Sequence, residues 1–194
     1  MAFKLIVIGA SLGGFNALEV LLTGLPKSFS VPVAIVQHRH KASTTQLSIA
    51  LQRYCNLVVV EPQDKEEILP GCVYIAPADY HLLVESRNDA VAYPYFSLST
   101  DAPVTYARPS IDVLFETAAD AYGDKVIGVL LTGANYDGTQ GLARIRARGG
   151  KTVVQEPSTA VCSTMPKAAI AAGVVDKILP LADIAPFLVN ICRI

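Results

Sequence analysis

The stretch that most narrows what this chain can fold into is Lys4–Leu25, KLIVIGASLGGFNALEVLLTGL. Lys4–Gly9 is a short apolar run rich in branched residues, which suits a strand covered on both faces. Phe15, Leu18, Leu21 and Leu22 then recur at spacings of three and four, the pattern of an amphipathic helix. Between them stands Gly9-Ala10-Ser11-Leu12-Gly13-Gly14. A strand that turns straight into a helix needs residues without a Cβ where the backbone is tight. Ser11 is thereby left at the carboxyl end of a strand and the amino end of a helix, where unpaired N–H groups and the helix dipole favour negative charge.

Three readings fit this turn. A dinucleotide fingerprint would need glycine where Ser11 stands and an acidic residue after the second strand, and both are missing. The pattern G-x-S-x-G of a nucleophile elbow matches Gly9–Gly13 letter for letter. The plainest reading makes Ser11 a helix cap. A catalytic reading therefore requires a base and an acid elsewhere in the chain.

Composition bears on which chemistry to look for. With 194 residues, 52% hydrophobic and only 17% charged, the chain fits one domain with several strands buried on both faces. A net charge of −1 gives no electrostatic reason for nucleic acid or an anionic membrane as partner. The basic cluster Arg144, Arg146, Arg148 and Lys151 reads as a solvated helix end. Cys55, Cys72, Cys162 and Cys192 form no C-x-x-C pair; the first three lie in or beside apolar stretches and read as buried reduced thiols in a reducing compartment. Only His38 and His40 stand close together, which argues against a metal site, and no apolar run reaches the roughly 18–20 residues of a membrane span. A cytoplasmic protein is expected.

Further along, Val31–Gln37 and Leu57–Val60 read as strands around a helix capped by Ser43 or Thr44 and running to about Tyr54. This is the βαβ rhythm of a parallel sheet. The rhythm breaks after Glu61. Cys72–Ala76, His81–Val84 and Val91–Ser99 are short strand candidates, read together as an antiparallel ribbon inserted into or edging the main sheet, with Pro94 arguing against a central strand. Order returns with a helix over Ile111–Tyr122 capped by Ser110, a strand over Val126–Leu131 and a helix through Arg148 stopped by Gly149-Gly150. A strand over Lys151–Gln155, a short helix over Lys167–Ala172, a strand over Val174–Leu179 and a helix over Ala182–Val189 follow.

Ligands of open parallel sheets sit outside the carboxyl ends of the strands. Three polar residues leave such ends: Ser11, His38 and Asp137. Singly, His38 reads as a solvated histidine and Asp137 as a turn residue or cap. Jointly they have the composition of a nucleophilic triad. A serine hydroxyl needs a base, imidazole titrates near neutrality, and a carboxylate fixes the imidazole tautomer. The chain order Ser–His–Asp differs from the Ser–Asp–His order of α/β-hydrolases.

The motifs VIGASLGG (Val7–Gly14), VQH (Val36–His38), LPGCVYIAP (Leu69–Pro77), RPSIDVLF (Arg108–Phe115), GVLLTGANYDGTQGL (Gly128–Leu142) and MPKAAI (Met165–Ile170) together resemble the catalytic domain of the CheB protein-glutamate methylesterase family over nearly the whole length. The resemblance implies a doubly wound α/β fold, a mainly parallel sheet with helices on both faces and a small antiparallel ribbon. It implies Ser11 as nucleophile, His38 as base and Asp137 as its acid. The implied reaction is hydrolysis of γ-glutamyl methyl esters on the cytoplasmic helices of methylated chemoreceptors, with glutamine deamidation as a second activity and no metal or organic cofactor.

Two positions depart from the family pattern, which often has Thr or Ala at Leu12 and Met-Gly at Ala134-Asn135. The best-known members also carry an N-terminal phosphorylatable receiver domain. Here residues 1–194 are expected as a single catalytic domain, with that regulation absent or supplied by a separate protein. Arg108 is expected either to bind acidic groups beside a methylated glutamate or to tie down its own loop; His40 is left out of the site. Two rival functions remain: a catalytically idle docking module in a chemosensory complex, and a small-molecule or nucleotide binder using the glycine turn.

Overall fold

The computed structural model describes residues 3–39, 47–86 and 94–192. The first strand is β1 (Leu5–Ala10), buried at every residue, and Ile6 and Ile8 point to one core while Leu5 and Val7 point to the other. That two-sided burial is why the run reads as continuously apolar rather than alternating. The helix α1 (Gly14–Thr23) follows and buries Ala17, Leu18, Leu21 and Leu22. Each large aliphatic side chain so buried contributes about 1.5–3 kcal/mol. Phe15 is not inward; it lies at the surface edge-on to Tyr54.

The other strands of the main sheet are β2 (Val33–Gln37), β3 (Val58–Val60), β4 (Cys72–Ile75), β7 (Val126–Leu130), β8 (Lys151–Gln155) and β9 (Lys177–Leu179). They pair in the order β3-β4-β2-β1-β7-β8-β9, all parallel. The chain builds outward from β1 through β2 on one side and from β7 on the other, so the strand order reverses at β1. A crevice at the carboxyl ends of β2, β1 and β7 follows from that reversal.

A separate antiparallel ribbon is formed by β5 (His81–Glu85) and β6 (Tyr95–Ser99). The ribbon expected from the break in rhythm is present, but Cys72–Ile75 does not belong to it. It joins the parallel sheet between β3 and β2, where Val73, Tyr74 and Ile75 are buried. Pro94 directly precedes β6 and interrupts no central strand. Residues 91–93 of the proposed third ribbon strand lie outside the described residues, as does the expected start of the second helix at Ser43 or Thr44.

Helix α2 (Leu47–Gln52), α1 and α6 (Leu181–Ile191) cover one face of the sheet. Helices α3 (Ile111–Tyr122), α4 (Thr139–Ala147) and α5 (Thr164–Ala171), with the ribbon, cover the other. Helix α5 starts three residues earlier than expected. Pro166 falls inside its first turn, where a missing N–H breaks no helical hydrogen bond. All four cysteines are free thiols, and only Cys55 is fully buried; Cys72 and Cys162 are half-exposed. Among the described residues no helix is long and apolar enough to cross a membrane.

Candidate active site

Ser11 follows β1 directly, His38 follows β2, and Asp137 lies in the loop between β7 and α4. The ladder runs on past the strand ends and fixes these loops. His38 N–H donates to the Ala10 carbonyl (2.9 Å), and Ser11 N–H donates to the Thr132 carbonyl (3.0 Å).

Ser11 does not cap α1. The capping position is Gly13 at φ 79°, a left-handed conformation that favours glycine, and no side chain caps the helix. Asp137 does not cap its own helix either: Gly138, at φ 96°, takes that place. The Asp137 carboxylate instead seats on the amino end of α3. It accepts from the N–H groups of Ile111 (2.7 Å) and Asp112 (2.9 Å), from the Ser110 hydroxyl (2.9 Å) and from His38 Nε2 (2.8 Å). Ser110 caps α3 as expected, its hydroxyl oxygen accepting from Val113 N–H.

Asp137 is fully buried. Burial alone would raise its carboxyl, but the hydrogen bonds from His38, Asp112 N–H and Ile111 N–H outweigh it and hold it below the usual carboxylate range. An ionised Asp137 accepts, so His38 Nε2 carries the hydrogen. The opposite ring nitrogen, Nδ1, then holds a lone pair. Asn135 agrees with this tautomer: its Oδ1 accepts from Asp137 N–H (3.2 Å), which turns its Nδ2 donor toward His38 Nδ1 at 3.4 Å.

Ser11, Leu12, Gly13, Gln37 and His38 line one cleft of about 460 Å³. His38 also borders a second cleft of about 610 Å³, walled by Arg39, Asp79, Tyr106, Arg108 and Asn135. The structure thus brings His38 and Asp137 into direct contact and sets Ser11 on the wall of the same crevice. Among the described residues the Ser11 hydroxyl forms no hydrogen bond to His38. The N–H groups of Leu12 and Gly13 face no acceptor among the described residues. Both belong to the turn just after Ser11, so they are available to an oxyanion.

Arg108 resolves toward its structural role. Its guanidinium donates to Asp79 Oδ1 (2.7 and 3.0 Å) and to the carbonyls of Thr100 (2.6 Å) and Asp101 (2.9 Å), which ties down the loop before α3. His40 lies outside the described residues.

Several polar residues at the site are not evident from the sequence. His81 is buried; its Nδ1 accepts from Ser110 N–H (3.2 Å), so its Nε2–H donates to the Ala102 carbonyl (3.1 Å). Asp112 is buried beside Asp137, and burial, with Asp137 adding to it, pushes its carboxyl up to about 7. Gln37 and Thr132 brace the Ser11 turn. A polar residue at the end of an apolar run is the only sequence signal for either. No three His, Cys, Asp or Glu side chains among the described residues are grouped so as to hold a metal ion.

Comparison with known proteins places the chain in a family. The family model for CheB methylesterase matches residues 6–188. A Leptospira interrogans protein, named provisionally for paired methylesterase and glutaminase activities, is 47% identical over 191 residues, 98% of this chain and 96% of that one. The protein-glutamate methylesterase/protein-glutamine glutaminase of Thermotoga maritima is 37% identical over 97% of this chain, which corresponds to 54% of that protein. The crystal structure of the Thermotoga maritima CheB methylesterase catalytic domain superposes with a TM-score of 0.93 at 36% identity, covering 98% of this chain and all of that one. The chain belongs to the CheB methylesterase family.

Proposed function

We propose that this chain is a protein-glutamate methylesterase. In this reading it hydrolyses γ-glutamyl methyl esters of a chemoreceptor-like protein in the cytoplasm, releases methanol, and deamidates receptor glutamine by the same chemistry. The observation that carries the proposal is the His38–Asp137 hydrogen bond of 2.8 Å at the strand-order reversal, with Ser11 on the wall of the same cleft. A glycine-turn nucleotide site needs none of these three together, and neither does an idle docking module.

His38 Nδ1 takes the Ser11 proton as Oγ attacks the ester carbonyl. Asp137 stays ionised and steadies the imidazolium through Nε2–H. The oxyanion of the tetrahedral intermediate accepts from the N–H groups of Leu12 and Gly13. His38 then returns the proton to methoxide as methanol leaves, and a water deprotonated by His38 cleaves the glutamyl–Ser11 ester. With an amide substrate the leaving group is ammonia and the product is again glutamate. The Leptospira relative is itself of catalytic-domain length. We place control of this domain in a phosphorylatable receiver or another regulator.

The test is mass spectrometry of receptor peptides after incubation with the protein. The reading expects methyl loss at glutamyl esters and conversion of glutamine to glutamate at the same sites. Receptor peptides unchanged by an enzyme whose Ser11 still reacts with an active-site phosphonate would refute the substrate assignment.

A further inference from the structure

The side chains of Gln37 and Thr132 make no hydrogen bond to the His38 imidazole or the Asp137 carboxylate, yet each holds one peptide group of the Ser11 turn. Gln37 is the last residue of β2 and is 9% exposed. Its Nε2 donates to the Ser11 carbonyl (2.9 Å) and to the His38 carbonyl (2.9 Å). Because both partners are carbonyls, the amide orientation is fixed. Gly14 N–H donates to the same Ser11 carbonyl at 2.8 Å. The Thr132 hydroxyl, from the loop after β7, donates to the Leu12 carbonyl at 2.8 Å and accepts from Cys162 N–H at 2.9 Å.

A trans peptide is planar, with its C=O and N–H on opposite sides. Holding the Ser11 carbonyl therefore orients the Leu12 N–H, and holding the Leu12 carbonyl orients the Gly13 N–H. Leu12 and Gly13 line the cleft that Ser11 and His38 share, and their N–H groups make no hydrogen bond among the described residues. The arrangement has a cost. Gln37 Oε1 is buried without a hydrogen-bond partner, lodged against Gly14, where a Cβ would run into it. A buried acceptor left unmet calls for a compensating role.

We propose that Gln37 and Thr132 are positioning residues that lock the Ser11–Leu12 and Leu12–Gly13 peptides, so that the oxyanion hole is formed before substrate arrives. This rests on the nucleophile assignment made under the proposed function. Without Gln37 the Ser11 carbonyl keeps only Gly14 N–H, and without the Thr132 hydroxyl the Leu12 carbonyl keeps no donor among the described residues. Either peptide can then rotate and withdraw its N–H from the cleft.

The test is the rate of Ser11 labelling by a fluorophosphonate, whose phosphoryl oxygen occupies the oxyanion position. The proteins compared are wild type, Gln37→Met, Thr132→Val and Thr132→Ser, each checked for a cooperative melt. The proposal expects the maximal labelling rate to fall about 10- to 100-fold in Gln37→Met and in Thr132→Val, with the half-saturating concentration unchanged within about twofold. Thr132→Ser keeps the hydroxyl and should recover most of the rate. Labelling at the wild-type maximal rate in folded Gln37→Met overturns the proposal, as does a loss confined to the half-saturating concentration. If Thr132→Val fails to fold, Gln37→Met decides alone. Methanol release from receptor is measured separately on wild type, so failure of the substrate assignment is seen without touching this result.

Discussion

Replacing Asp112 with asparagine should change the pH dependence of stability in a direction the structure fixes. Asp112 lies in the first turn of α3 with its side chain buried, and its Oδ1 accepts from Gly141 N–H at 2.7 Å. The charged and titratable groups around it are Asp137, His38 beyond Asp137, and His81 on the far side of Ser110. No Lys or Arg among the described residues hydrogen-bonds to it. Burial, then the neighbouring Asp137 charge, raise its carboxyl from 3.8 to about 7. An acid that holds its proton more tightly when folded stabilises the fold most below its unfolded value. That contribution disappears as pH rises through the folded value. Between pH 5 and pH 8 the loss amounts to roughly 2–3 kcal/mol, at 1.36 kcal/mol per unit while only the unfolded chain is ionised. Asparagine keeps the shape of the neutral acid and does not titrate. Urea unfolding of both proteins across this range measures the effect. The wild type should lose stability relative to Asp112→Asn as pH rises; parallel curves would refute the assignment of a protonated buried acid beside Asp137.

The remaining predictions concern the triad and the core that positions it. Asp137→Asn should lower turnover by about 10³–10⁴, because an amide donor facing His38 disfavours the tautomer with Nε2–H; steady-state methanol release checks it. The same residue gives a second, opposite pH signature. A carboxyl held below its ordinary value stabilises the fold above about 3.8 and loses that effect as pH falls through its folded value, so the acid unfolding midpoint should rise in Asp137→Asn. Leu21→Ala in the buried stripe of α1 should cost about 2–5 kcal/mol in urea unfolding. Gly14→Ala should dislodge the Gln37 amide, cost about 1–3 kcal/mol and slow phosphonate labelling.

Much of this architecture is legible in the sequence because its signals are local. The run Lys4–Gly9 followed by the Phe15–Leu22 periodicity specifies a strand turning into a helix, and Ser110 before an apolar stripe marks the start of α3. Ser11, His38 and Asp137 can be picked out because polar residues that end apolar runs in a parallel sheet converge on one edge. The features that escape the sequence are non-local. Cys72–Ile75 has the same short apolar pattern whether it pairs in a ribbon or in a parallel sheet. Only the placement of β3 at the edge shows that β4 fills the position beside β2. Asp137 precedes α4, so a local reading makes it that helix's cap. Its carboxylate is instead spent on α3, where two N–H groups and the dipole hold it ionised. Gln37 and His81 face groups on other loops, and nothing in their own neighbourhoods announces those partners.

In the proposed mechanism Ser11 attacks a receptor methyl ester. Methanol release from methyl-labelled receptor membranes, with wild type beside Ser11→Ala, tests it most directly. The account predicts release by wild type and a fall of about 10⁴–10⁶ in Ser11→Ala. Equal release by the two proteins would contradict it.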